Sequence, residues 1–395
     1  MRKRDIVRKV VLAVVGLGLG GMLAMVVVNY RDKLPRIMLS PIPAVQSGQN
    51  GQGREVIGFL PYWLLAKAQS DYAGKITTLT YFGLAVDGQG QIQKFSNPGE
   101  AEPGWYALTS GRADQLLQAA RADKIALSLL VFSGDPDTIS QLVSDPVGHA
   151  ANLLTAVIPL MQEYGFTDLN LDIENTGTAS DSARAQFTQF VKTVKDGLIQ
   201  NGINSLTVEI TTNDAVDKKL IDVAEVGKIA NQLVLMAYDY HFAGSLVTGP
   251  VSPISGGGQR FEYDVTTAVK QTLVKLAADK LVLGIPLYGY EWETLTPASS
   301  SAVIPGSGQV ISSSRVQQTL AVCDGCLAVY DDRIGESYAT YRTPQGDWEQ
   351  MFYPDARSTS DKTQFVQKLK LRGLALWALG YEDDQVLAPI GQYLK

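Results

Sequence analysis

From residue 54 onward, short apolar runs alternate with amphipathic segments. The runs cover 56–60, 79–86, 125–132, 168–173, 206–211, 233–238, 281–287 and 374–379. Near-continuous apolar stretches of this length suit parallel strands covered by helices on their outer face. Between them, 113–122, 150–164, 182–199, 264–279 and 360–371 carry apolar residues at helical spacing. In 182–199 these are Phe187, Phe190, Val191, Val194 and Leu198. Eight strand–helix alternations predict an α/β protein, a (β/α)8 TIM barrel rather than an open sheet. One connection is too long for a loop. The stretch 291–352 holds Ser/Gly-rich sequence, two cysteines and aromatic residues, and predicts a small α+β insertion between the seventh and eighth strands.

The first 53 residues read differently. Positions 10–28 carry no charge and are long enough to cross a bilayer. Arg2, Lys3, Arg4, Arg8 and Lys9 precede them, so 1–9 is expected on the cytoplasmic side, with the body of the protein outside a membrane. No convincing cleavage site follows, which favours an uncleaved anchor over a signal peptide. Pro35, Pro41, Pro43 and a Ser/Gly/Gln/Asn-rich stretch make 29–53 a flexible linker, leaving 54–395 for the barrel.

Charge narrows the partners. Residues 1–36 hold eight of the 34 Lys and Arg and two of the 40 Asp and Glu, so the remainder is acidic. An acidic body is a poor match for nucleic acid, whose phosphates call for Lys and Arg, and suits a neutral polymer. The two cysteines, Cys323 and Cys326, are too few for a structural zinc site, and His149 and His241 lie far away in sequence. A local disulfide is favoured over two inert thiols.

The chemistry concentrates on the fourth predicted strand. Alternation puts Asp168, Asn170, Asp172 and Glu174 on one face and Leu169, Leu171 and Ile173 on the other. In a barrel the polar set faces the axis, and Glu174 stands at the carboxyl end, where barrel active sites lie. Four polar side chains in a row inside a barrel are costly unless they bond one another, which points to function. A calcium loop would need Gly at its sixth position and Glu at its twelfth; here those are Ile173 and Ala179, so no metal is expected.

This run resembles the DxxDxDxE signature of family 18 glycoside hydrolases, the chitinases and their relatives. Other segments match in order: Gly58 to Trp63 on the first strand, Leu235-Met-Ala-Tyr-Asp239 on the sixth, Leu283-Gly-Ile-Pro-Leu-Tyr-Gly289 on the seventh and Gly373 to Gly380 on the eighth. The resemblance implies Glu174 as general acid, Asp172 and Tyr238 as partners that orient the substrate's acetamido group, and no cofactor. It further implies substrate contacts from Asp168, Asn170, Met236, Asp239, Tyr288 and Trp377. Family 18 is an exception to two-carboxylate retention, because the substrate's own 2-acetamido oxygen attacks the anomeric carbon.

Two departures stand out. The middle Asp of the signature is Asn170, which cannot take up a proton and shortens any relay through Asp172. The Arg that often follows the seventh-strand motif is Tyr290. Asn170 and the segment Phe352 to Ser358 resemble the spore-cortex-lytic N-acetylglucosaminidase branch, so peptidoglycan is expected ahead of chitin. His241 is either a cleft or a loop residue. Tyr62, Trp63 and Trp292 are either sugar platforms or packing aromatics. The expected protein is a monomeric, membrane-anchored hydrolase of β-1,4-linked N-acetylglucosamine polymers; the alternative is a glycan-binding barrel without turnover.

Overall fold

The structure, a computed structural model, describes residues 54–395 apart from Phe261 and Asp324. The expected cytoplasmic segment, membrane anchor and linker lie outside the described residues. Among the latter no helix is long and apolar enough to cross a membrane.

Eight parallel strands close a barrel. They are β1 (Glu55–Pro61), β2 (Thr78–Ala85), β3 (Ala126–Ser133), β4 (Asp168–Ile173), β5 (Ser205–Thr211), β6 (Gln232–Met236), β7 (Leu281–Pro286) and, after an insertion, β13 (Gly373–Trp377). Each pairs with its sequence neighbour in the barrel, and β13 closes the ring between β7 and β1. The outward residues Leu169, Leu171 and Ile173 join the main core with Phe187, Phe190, Val191, Val194 and Leu198 of α5 (Asp181–Gln200). Inside the barrel, Ile57, Phe59, Leu130, Val234, Val282 and Ala375 form a second apolar cluster.

Helix starts follow side-chain caps. Asp135, Asp145, Ser180, Asp222, Asp264, Asp355 and Asp383 each accept a first-turn backbone N–H. Outside the insertion, four helices among the described residues escape the sequence periodicity: α1 (Pro103–Thr109), α3 (Pro136–Ser144), α6 (Val223–Ile229) and α10 (Asp384–Tyr393). The prolines of α1 and α3 sit at their first turns, behind Glu102 and Asp135, where the missing N–H costs nothing. Three strands are shorter than their apolar runs: β6 stops at Met236, β7 at Pro286 and β13 at Trp377. The helix expected over 264–279 spans only Val265–Leu273 (α7), followed by a 3-10 turn at Ala278–Lys280.

The long connection folds into an antiparallel sheet: β8 (Tyr288–Thr294), β9 (Gln309–Ser312), β10 (Leu327–Asp331), β11 (Glu336–Arg342) and β12 (Trp348–Tyr353), in the order β9-β8-β12-β11-β10. Helix α8 (Ser313–Val322) covers one face through Val316 and Leu320, against Ala339, Met351 and Tyr353. Cys323 and Cys326 form a disulfide after this helix. Glu336 ties the sheet to the barrel. Its carboxylate accepts the backbone N–H groups of Val251 (2.6 Å) and Ser252 (2.8 Å) and pairs with the buried Lys362 at 3.9 Å.

The barrel floor is polar. Asp168 accepts hydrogen bonds from Ser128 Oγ (2.6 Å) and Thr207 Oγ1 (3.1 Å), and Gln232 bridges Thr207 to Glu55. Burial pushes the Asp168 carboxyl up to about 6, against the lowering by these hydroxyls. A carboxyl that holds its proton more tightly when folded loses stability as pH rises from about 4 to 6. Asp168→Asn, a neutral isostere, is therefore expected to raise the melting temperature at pH 8 and match the parent near pH 4. The upper bound of the gain is about 2–3 kcal/mol, at 1.36 kcal/mol per pKa unit. Equal shifts in Tm at both pH values would show that the ionised Asp168 is not the source.

Candidate active site

A cavity of about 290 Å³ opens at the carboxyl ends of the barrel strands. The residue after β4, Glu174, enters it half-buried, with its backbone N–H bonded to Ser133 O on the neighbouring strand at 2.9 Å. Asp172 lies two residues back on the same face and is 4% exposed. Met236 at the end of β6, then Tyr238 and Asp239, complete the opposite wall. Gly284 on β7 leaves room for the Tyr238 ring, since a Cβ there would stand 3.1 Å from Tyr238 Cε1 and 2.7 Å from Leu235 O. Asp239 has φ 59°, a left-handed backbone that non-glycine residues rarely hold and that turns its carboxylate out of line with the strand.

Trp377 closes the apolar side. It meets Phe59 and Phe82 edge-on at 5.7 and 5.2 Å, and Phe132 and Leu130 extend the same wall. Trp63 packs on Phe82 and Trp377 but stays 46% exposed, so it adds an aromatic surface at the rim. Trp292 is fully buried in the core of the insertion, with its Nε1 bonded to Phe242 O, and acts in packing. Tyr62 packs against the main core and meets Trp63 edge-on.

Four carboxyls line the cavity, Asp172, Glu174, Glu209 and Asp239, and none of its lining residues is basic. Burial is the largest cause raising each of them. Asp239 and then Asp214 add to it for Glu174, and Glu174 adds to it for Asp172. Asp239 is partly relieved, because Tyr288 and Tyr290 both donate to its Oδ1, the latter at 3.0 Å. The cluster therefore retains protons at a pH where isolated carboxyls would lose them. That is the condition a general acid needs near neutrality.

Several expected site residues stand elsewhere. Asp168 belongs to the floor, four residues below Asp172 on β4, or about 13 Å at strand rise, and does not line the cavity. Aligned on Glu174, the first position of the signature falls on Thr167, not Asp168. Asn170 is wholly buried beneath the cavity and donates from Nδ2 to Glu209 Oε1 at 2.8 Å. Tyr288 is 3% exposed and stands behind Asp239 instead of in the cavity. His241 bonds through Nδ1 to Pro250 O and lines a second recess of about 560 Å³, together with Thr212, Asn213, Asp217, Tyr240, Glu262 and Tyr263.

Sequence reading missed Glu209. It sits amid the apolar run of β5, where it interrupts Val208 and Ile210 with a charge. That alternation was its one available signal. Phe59, Phe82 and Phe132 were equally hidden, because inward and outward faces of their strands are both apolar.

The chain is 24% identical over 316 residues to YdhD of Bacillus subtilis strain 168, a candidate sporulation-specific glycosylase, covering 78% of this chain and 67% of that one. It is 25% identical to the cortical fragment-lytic enzyme of the same organism, covering 63% of this chain and about half, 54%, of that relative's length. Among solved structures, the spore cortex-lytic enzyme SleL of Bacillus megaterium QM B1551 superposes with a TM-score of 0.70 at 21% identity, covering 88% of this chain and 76% of that one. The family 18 chitinase of Cycas revoluta in complex with (GlcNAc)3 superposes with a TM-score of 0.70 at 17% identity, covering 86% and 98%. At such identities the structures speak for the fold alone. The sequence model of the glycosyl hydrolases family 18 matches residues 47–382, and the chain therefore belongs to that family.

Proposed function

We propose that this barrel hydrolyses β-1,4-linked glycans containing N-acetylglucosamine, with retention of configuration and with Glu174 as acid and then base. The observation that carries the reading is the meeting of Glu174, Asp172, Tyr238 and Trp377 around one cavity, with Glu174 held in its acid form by burial and neighbouring charge. Glu174 protonates the leaving oxygen. The substrate's 2-acetamido oxygen attacks the anomeric carbon, Tyr238 donates to that oxygen, and Asp172 accepts the acetamido N–H as positive charge develops there. Trp377 and Met236 supply the apolar surface beneath the sugar ring. Water then opens the cyclised intermediate, with Glu174 removing its proton.

Cell-wall peptidoglycan is the preferred polymer in this reading. The family signature with Asn170 at its middle position supports it, as do relatives named for sporulation and cortex lysis. The uncharged stretch 10–28 behind a basic amino terminus leads us to hold the enzyme at the outer face of a membrane, within reach of the wall. Mass spectrometry of digests of purified peptidoglycan and of chitin oligomers, with proton NMR of the first-formed anomer, tests both points. Reducing-end N-acetylglucosamine released faster from peptidoglycan, first as the β-anomer, is expected. A first-formed α-anomer would exclude the retaining mechanism, and faster chitin turnover would reverse the polymer preference.

A further inference from the structure

Glu209 is a carboxyl that the mechanism above leaves unused. It is 3% exposed on β5, yet it lines the catalytic cavity. The β4–β5 register pairs Asn170 with Thr207 and Leu171 with Val208. Continued by one residue, it sets Glu209 beside Asp172, on the same inward face and one strand spacing away, about 4.8 Å. Asn170 fixes the Glu209 side chain from below through its Nδ2–H to Oε1 bond of 2.8 Å.

Asp172 supplies the second observation. Its Oδ1 is buried and has no hydrogen-bond partner among the described residues. Such an acceptor is costly unless a donor completes it. Since Oδ1 is closed off, Oδ2 is the oxygen that a sugar bound in the cavity meets. The donor for Oδ1 must come from inside the barrel. Asn170 spends one of its two amide hydrogens on Glu209, which turns its Nδ2 toward β5, and it cannot titrate. A protonated Glu209 Oε2, lateral to Asp172, can complete the site.

We propose that Glu209 is a positioning residue of the hydrolytic site, which holds in its acid form the proton that bonds to Asp172 Oδ1 and keeps Asp172 Oδ2 turned, as an anion, toward the acetamido N–H. The acidic partner of Asp172 has in effect moved from β4, where Asn170 stands, to β5. Burial, followed by the Asp172 charge, raises the Glu209 carboxyl well above its ordinary range and so agrees with a neutral Glu209. The groups facing it are Asp168, Asn170 and Asp172 from β4, Glu174 just after it, and Tyr238 from beyond β6. The inference rests on the hydrolytic reading of the cavity.

Its test is a set of variants assayed on the same N-acetylglucosamine oligomer. Glu209→Ala removes the donor and is expected to lower kcat about a hundredfold, with KM within about threefold. Glu209→Gln keeps a donor of the same shape; kcat is expected to fall less than tenfold, and the alkaline limb of the pH profile to become shallower, from the loss of two protons to the loss of the Glu174 proton alone, because an amide cannot lose its proton. Asn170→Asp combined with Glu209→Ala returns a carboxyl to β4 and is expected to recover at least tenfold over Glu209→Ala alone. Parental kcat in Glu209→Ala would overturn the assignment. So would equal losses in the Ala and Gln variants with a lowered Tm and an unchanged pH profile. Glu174→Gln, run alongside, separates the two levels: if it is inactive while Glu209→Ala is active, only the Glu209 role falls, whereas an active Glu174→Gln removes Glu174 as the acid, and with it the reading of the site on which this role rests.

Discussion

Glu174→Gln is expected to lower kcat by about a thousandfold or more while leaving oligosaccharide binding within a few-fold of the parent. The amide fills the same volume and retains hydrogen bonding, so the cavity formed by Met236, Tyr238 and Trp377 should still seat the sugar. It cannot release a proton to the leaving oxygen, and positioned general acids contribute about 10²- to 10⁴-fold. The pH profile carries the same information. Glu174 acts first as an acid, and burial with the Asp239 and Asp214 charges raises its pKa. Activity should therefore hold into the pH range where an exposed glutamate is already ionised, and fall as pH rises through the shifted value. Single-turnover assays and calorimetric titration of the variant with a chitin oligomer would check both halves. A variant retaining a tenth of parental turnover would assign the proton to another group, and loss of binding together with turnover would mean that the cavity had collapsed.

The barrel was legible because its outer face is written in long apolar runs. Leu169, Leu171 and Ile173 could only face helices, which forced Asp172 and Glu174 inward and placed the acid at the strand end. The motif around Tyr238 and Asp239 located the opposite wall. What remained hidden depends on contacts between strands. Nothing local distinguishes Asp168, which bonds downward to Ser128 and Thr207, from Asp172 two pleats higher. Tyr288 was expected to contact substrate from its resemblance to the seventh-strand motif, but the start of β8 turns it behind Asp239, and Tyr290 joins it there. Glu209 became a site residue only when the β4–β5 register laid it beside Asp172, because a lone charge in an apolar strand reads equally as an edge or a bulge. The insertion was inferred from the length of a connection, while its sheet order follows from pairings far apart in sequence, such as Tyr290 with Phe352.

An oligomer whose cleaved-side sugar carries a free amine in place of its N-acetyl group is expected to be hydrolysed at least a thousandfold more slowly, and the loss should fall on kcat. The cavity presents four carboxyls and no basic residue, so an ammonium sugar should bind at least as well as the acetylated one. What it lacks is the carbonyl oxygen, whose attack within the substrate has an effective molarity that can reach about 10⁵–10⁸ M. An enzyme carboxylate would have to take over, at the ~5–5.5 Å separation from the acid that covalent retention uses. Asp239 is already held by two tyrosine hydroxyls, and Asp172 has one oxygen buried away from the cavity. Neither is free to swing onto an anomeric carbon. GlcNAc-thiazoline should inhibit for the same reason, since it resembles the cyclised intermediate. Comparable turnover of the amine and acetamide substrates, or a covalent glycosyl-enzyme trapped on Asp172 or Asp239, would transfer the nucleophile from the sugar to the protein. The unusually acidic cavity would then be read as a covalent site instead of one that keeps an acid protonated and a cationic intermediate stable.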